Sequence, residues 1–202
     1  MGKIVTLWSP VSHAGATTAS ILLANKLGKE YSVCLVDFDL NNSDVSLYLN
    51  ISDAEHNIDN LIPYIQGHSL TEEIFYMNLI DVKNFRFMQG TRQIDKGPMF
   101  QVEFLEPIID MAKNLFDIVI INTNSAIDNA GTFIGLSKAD KVVMVLNQNV
   151  LHFKKYIDKA QLMGNLLTSP IVLVNKYNKN ILLTLDNIKE NLNTDAYPLA
   201  EV

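Results

Sequence analysis

A chain of 202 residues suits one domain, residues 1–202, with a sizeable buried core. Hydrophobic residues at 48% against 19% charged exclude a disordered chain, and a net charge of −6 argues against a broad nucleic-acid-binding face, because neutralising phosphates takes clustered lysine and arginine. The single cysteine, Cys34, excludes an intrachain disulfide framework, and no stretch has the apolar length of a membrane span. The start, Met1-Gly2-Lys3-Ile4-Val5, lacks the regions of a signal peptide. These features predict a cytoplasmic protein without a membrane segment.

In chain order, the short β-branched apolar runs at 4–8, 33–36, 85–88, 118–121, 142–146 and 171–174 read as strands buried on both faces. Between them the spacing predicts helices over 17–27, 70–77, 99–115, 130–136, 152–167 and 181–192. Pro107 inside the third of these predicts a kink or two helices. The stretch 41–84 is the least regular, with short helices expected around 44–49 and 58–65. Alternation of this kind implies an α/β fold, a mostly parallel sheet with helices on both faces.

The richest segment is the first strand-loop-helix unit, Trp8-Ser9-Pro10-Val11-Ser12-His13-Ala14-Gly15-Ala16-Thr17-Thr18. A strand runs into small residues and then a helix opening with two threonines, a geometry that aims backbone N–H groups and a helix N-terminus at phosphates. Against the general motif G-x-x-x-x-G-K-[ST], Pro10 stands at the first glycine and Gly15 at the second. Ala16 replaces the lysine, while Thr17 keeps the hydroxyl. Taken alone, Gly15-Ala16-Thr17-Thr18 is equally an ordinary tight turn with a helix cap.

The remaining motifs, in order, resemble the ParA/MinD branch of P-loop ATPases, whose loop reads K-G-G-x-G-K-[ST]-[ST]. Val11 takes the place of the signature lysine, Ser12 and His13 replace the two glycines, and Ala16 replaces the second lysine. Val36-Asp37-Phe38-Asp39 looks like the family's D-x-D element, followed by a similar Asp44-Val45-Ser46-Leu47-Tyr48-Leu49. Phe116-Asp117-Ile118-Val119-Ile120-Ile121-Asn122-Thr123 looks like its Walker B strand, with Asn122 where the carboxylate stands. Ala139-Asp140-Lys141-Val142-Val143-Met144-Val145, Val174-Asn175-Lys176 and Ala196-Tyr197-Pro198 match its later strands. Within the family the chain is most similar to the TadZ/CpaE-like proteins of pilus and secretion clusters, which also open with Ser-Pro before an atypical loop.

This resemblance implies a P-loop NTPase-like three-layer α/β/α fold and a degenerate site. Ser12, His13, Ala14, Gly15, Ala16, Thr17, Thr18 and Asn175 would hold the nucleotide, Asn175 at the adenine. Thr17, Asp37 and Asn122 would hold the metal, weakly or no longer, and Asp39 would be a vestigial catalytic residue. The cofactor is ATP or ADP with Mg²⁺, or none. The implied partners are a second copy of the chain and the proteins of a localisation, secretion or pilus machine. The chain ends at Leu199-Ala200-Glu201-Val202, where relatives continue with further helices, so such helices are expected to be absent.

Catalysis of phosphoryl transfer is mainly positioning and electrostatic stabilisation. A hydrogen bond to a charged group contributes roughly 1.5–3 kcal/mol, so two missing lysines cost about 3–6 kcal/mol, several hundred-fold or more. Asn122 is nearly isosteric with aspartate but uncharged. Slow or absent hydrolysis in a positioning protein follows, with an active partitioning ATPase as the alternative. A metabolic enzyme of the dethiobiotin synthetase kind would need the lysine and a second substrate pocket, and neither is visible. Singly, Asp37 and Asp39 also read as turn caps, Asn122 and Asn124 as partners of loop backbone, and the lysines at 154, 155 and 159 as a solvated helix face.

Overall fold

The computed structural model describes residues 1–53, 55–167 and 169–199. Its centre is one eight-stranded sheet: β1 (Lys3–Trp8), β2 (Val33–Phe38), β3 (Ile80–Val82), β4 (Phe85–Met88), β5 (Ile118–Thr123), β6 (Lys141–Asn147), β7 (Ile171–Asn175) and β8 (Ala196–Pro198). The spatial order is β3-β4-β2-β5-β1-β6-β7-β8, with every pairing parallel except the β3–β4 hairpin at one edge. The helices are α1 (Ala16–Leu27), α2 (Val45–Tyr48), α3 (Ile62–Gln66), α4 (Glu72–Met77), α5 (Val102–Leu115), α6 (Ala130–Ser137), α7 (Val150–Met163) and α8 (Leu185–Leu192). Short 3-10 turns at Ile58–Asn60, Ile94–Met99 and Gly164–Leu167 supplement them.

The period of two along the central strands sends alternate side chains to opposite layers. Cys34, Val36 and Phe38 of β2 and Val119 and Ile121 of β5 join Leu105, Ile108, Ile109 and Ala112 of α5 in one core. Leu35 and Ile120, one residue out of phase, pack with Ala19 and Ala24 of α1 on the other face. A third cluster around Trp8, Met144, Leu146, Val172 and Val174 is covered by α7 and α8 through Phe153, Tyr156 and Ile188. Both faces of the sheet are therefore dry, as the unbroken apolar strand runs require. The expected three-layer α/β fold with a mostly parallel sheet is what the structure has.

Several local expectations change; the helix expected over 181–192, for one, begins only at Leu185, where Thr184 caps it. Pro107 lies at the sixth position of a single helix, α5, and does not divide it. It removes one backbone donor, but the apolar stripe Leu105, Ile108, Ile109 and Ala112 runs past it and holds both halves on the same core. The predicted helix over 152–167 begins two residues earlier, at Val150, because Asn149 caps it by accepting the N–H of Leu151 at 2.8 Å. β3 was not expected: its three residues owe their extension to pairing with β4. Residues 200–202, on which the expectation for the chain end partly rests, lie outside the described residues.

Candidate functional site

Parallel strands all end at one edge of a sheet, and ligands of such folds bind there where the strand order switches. In this chain β1 is that point, flanked by β5 and β6. Over its carboxyl end lies a cavity of about 330 Å³ lined by residues of the β1–α1 loop, from Ser9 to Thr18, with Asp39, Tyr48, Asn124, Ser125 and Asn175. All eight residues assigned from the sequence to nucleotide binding line it: Ser12, His13, Ala14, Gly15, Ala16, Thr17, Thr18 and Asn175.

The loop reaches the helix through Gly15, whose φ of +102° is left-handed. A Cβ at this position would stand 2.5 Å from Nδ2 of Asn175, so glycine is required by both conformation and space. The Asn175 amide donates to the carbonyl of Ala14 at 3.0 Å, and its oxygen accepts the N–H of Lys176 at 3.0 Å, pinning the loop to the end of β7. His13 takes the left-handed region with φ 60° and is exposed. The first turn of α1 carries no acidic side chain, and its N–H groups have no partners within the helix. Together with the helix dipole, this end of the cavity favours an anion.

Beneath the loop, Asp37 and Asn122 are neighbours in the register between β2 and β5, both pointing toward α1. Both are buried. Asn122 Nδ2 donates to Asp37 Oδ1 at 2.9 Å, the same oxygen accepts the N–H of Asp39 at 3.1 Å, and Ser43 Oγ donates to Oδ2 at 2.7 Å. Burial pushes the Asp37 carboxyl up to about 6, against the pull of its three hydrogen-bond donors. On the other side Ser20 Oγ donates to the carbonyl of Thr17 at 2.7 Å, with a longer 3.5 Å limb to Asn122 Oδ1. The result is a ladder from the first turn of α1, through Ser20 and Asn122, to Asp37 and Ser43.

Asp39 sits higher, on the cavity wall, where Asn124 Nδ2 donates to its Oδ1 at 2.6 Å and the N–H of Asn42 donates to the same oxygen at 3.0 Å. Burial raises its carboxyl above the ordinary range, with the Asn124 and Asn42 donors opposing. Asn124 also accepts the N–H of Ala126 at 2.7 Å, the loop-backbone role its sequence context suggests. Asn122 has no such role; its amide serves the carboxylate.

A phosphate-bearing anion fits the upper cavity: small residues, free N–H groups and no acidic side chain on the helix turn. A divalent cation, which nucleotide chemistry on this fold brings with it, does not fit the lower ladder. Both oxygens of Asp37 accept hydrogen bonds, and the donor end of the Asn122 amide faces it. Among the described residues no group of three or more His, Cys, Asp or Glu side chains is disposed to hold a metal ion. The lower ladder is a closed hydrogen-bonded group.

Sequence reasoning missed several residues at the site. Ser43 on Asp37, and Ser125, whose hydroxyl lies 3.0 Å from that of Ser12, had no motif to mark them. Lys159, read as part of a solvated face, donates from α7 to the carbonyl of Ser125.

An eight-stranded, mostly parallel sheet with a small-residue loop over its switch point is an α/β fold of the P-loop NTPase kind. More narrowly, the fold matches that of the ParA/MinD ATPases. No family model and no curated protein matches the sequence. Solved structures do. A ParA family ATPase from Chlorobium tepidum TLS aligns at a TM-score of 0.83 with 14% identity, covering 100% of this chain and 83% of that one. The septum site-determining protein MinD from Pyrococcus horikoshii OT3, complexed with Mg-ADP, aligns at 0.78 with 16% identity, over 100% and 81%. A putative plasmid partition protein from Borrelia burgdorferi B31, bound to AMPPNP, aligns at 0.75 with 19% identity, over 100% and 85%. At these identities the likeness is one of fold. No helix among the described residues is long and apolar enough to cross a membrane.

Proposed function

We propose that the chain is a degenerate member of the ParA/MinD family, acting as one domain in the spatial positioning or assembly of a cellular machine, with weak nucleotide binding and slow or no hydrolysis. The observation that carries this reading is a contrast: the β1–α1 loop leads through Gly15 into a helix start with no acidic side chain in its first turn, while Val11, Ala16 and Asn122 supply none of the charges that turnover uses. The family's fold, shared with proteins named for plasmid partition and septum-site determination, supports a positioning role. The Ser-Pro opening and atypical loop favour, within that role, a pilus or secretion cluster of the TadZ/CpaE kind. Leu47 and Tyr48 on α2 and Val150 and Leu151 on α7 are exposed apolar residues at the edge that holds the cavity. They suit a homodimer formed across the loop face, with protein partners added to it.

The test is calorimetric titration of the intact chain with ATP and ADP, with and without Mg²⁺, beside a steady-state hydrolysis assay. The reading predicts dissociation constants weakened by the missing lysines and turnover several hundred-fold below lysine-bearing relatives. Hydrolysis at the rate of those relatives sinks it. A second reading, an ATP-switched partitioning protein using unconventional residues, is favoured by Asp39 standing on the cavity wall. It predicts Mg²⁺-dependent ATP binding that drives dimerisation and is lost in Thr17→Ala and Asp39→Ala. The absence of a thermal shift at millimolar ATP and Mg²⁺ eliminates it.

A further inference from the structure

The charged groups on the cavity wall are one carboxylate, Asp39, and at most one imidazole, His13. A phosphate ligand needs a compensating cation, and the two loop positions that would supply it carry Val11 and Ala16. One lysine comes to the wall from elsewhere. Lys159 crosses from the middle of α7, half-buried, and donates to the carbonyl of Ser125, a cavity residue whose hydroxyl is bonded to that of Ser12 in the phosphate loop. No other lysine or arginine side chain among the described residues donates to a wall residue.

Several other lysines are held by carboxylates, while Lys141 donates to the carbonyl of Ser169 and Lys189 lies over the Tyr197 ring. Lys154 pairs with Asp158, Lys138 with Glu106 and Asp110, and Lys3 and Lys113 with Asp140. Lys159 has no ion pair among the described residues; its partner is a neutral carbonyl. Asp128 and Lys155 act on it from a distance, with opposite signs. An ammonium has three N–H donors. One is used on Ser125, so two remain. A long, flexible, partly desolvated lysine without a carboxylate partner, in a protein of net charge −6, is placed where an anion gains most from it.

We propose that Lys159 supplies the positive charge for a polyphosphate ligand in this cavity, delivering from α7 what the loop lacks. The proposal rests on the nucleotide reading above and names the residue that sustains it. The lysine already contacts Ser125, a residue of the cavity wall. The same contact explains why α7, which has no fully buried residue, is tied to the loop after β5.

The test is calorimetric titration of the full chain with ATP, ADP and AMP, for the wild type, Lys159→Gln, Lys159→Arg and, as a control on the same helix, Lys154→Gln. The expected result is that Lys159→Gln weakens ATP about ten-fold, ADP less and AMP least, that Lys159→Arg retains most of the affinity, and that Lys154→Gln is unchanged. The ATP deficit should shrink as salt is raised. Equal weakening of all three nucleotides makes Lys159 a structural tie to Ser125 and overturns the proposal, as does unaltered ATP affinity in a folded Lys159→Gln. Should the wild type bind none of the three at millimolar concentration, the nucleotide reading itself fails and the proposal with it.

Discussion

Two polar regions lie within one turn of helix α1, and they have been settled in opposite ways. Below the loop, Asp37, Asn122, Ser43 and Ser20 form a buried group in which each side-chain polar atom has a partner. Above it, the cavity keeps backbone donors without helical partners, and Lys159 of α7 donates to the carbonyl of one of its wall residues, Ser125. Buried polar groups that satisfy one another rigidify a core, whereas donors left over at a helix start remain available to a ligand. An uncharged Asn122 is what separates the two: it turns a place for a charge into a closed hydrogen-bond ladder.

The sharpest way to break this contrast is Asn122→Asp, which sets a second carboxylate 2.9 Å from Asp37 where the amide now donates. Roughly 3–5 kcal/mol of stability should be lost at pH 8, as expected for an uncompensated buried charge, and much of it regained near pH 5 where the pair holds a proton. Urea midpoints at the two pH values check it; an unchanged midpoint at pH 8 means the lower ladder is not closed.

Asp37→Asn probes the same group from the other side. In the unfolded chain this carboxyl titrates near 3.8, and burial raises it to about 6 in the fold. Between those values the folded protein holds the extra proton, so the stabilising contribution is complete below 3.8 and is lost as pH rises through about 6. The amide variant should remove that pH dependence and be more stable than the wild type by roughly 3 kcal/mol above pH 7. A variant less stable than the wild type at pH 8 shows that the ionised Asp37 is better solvated than its burial implies.

Smaller effects belong to the open region. Gly15→Ala forces a side chain into a left-handed conformation and against Asn175, and should cost about 1–2 kcal/mol in urea unfolding. Asn175→Ala removes the tie to Ala14 and should cost about 1 kcal/mol, with faster amide exchange confined to the loop. Equal protection of the loop in that variant assigns its order to backbone alone.

Much of the architecture was legible because its signals are local. Six β-branched runs became six strands, and the helix expected over 17–27 lies at Ala16–Leu27. β3 escaped notice because Ile80-Asp81-Val82 alternates over too few residues to outweigh its loop surroundings. Pro107 misled because a local rule for breaking helices met a buried stripe that spans it. At the site the eight loop and strand-end residues were gathered as the motif order implies, but the direction of the Asn122 amide and the destination of Lys159 were not visible. Those depend on partners 85 and 34 residues away.

By itself the sequence determined the strand-helix alternation, the small-residue loop and the absence of charge at Val11, Ala16 and Asn122, since residue type and spacing act over one or two turns of chain. Only the tertiary structure decided that Asp37 and Asn122 stand side by side, that Asn175 pins the loop, and that a lysine from α7 reaches its wall. Register between strands and the approach of one helix to another's loop are set by packing of the whole core, and no short stretch of residues encodes them.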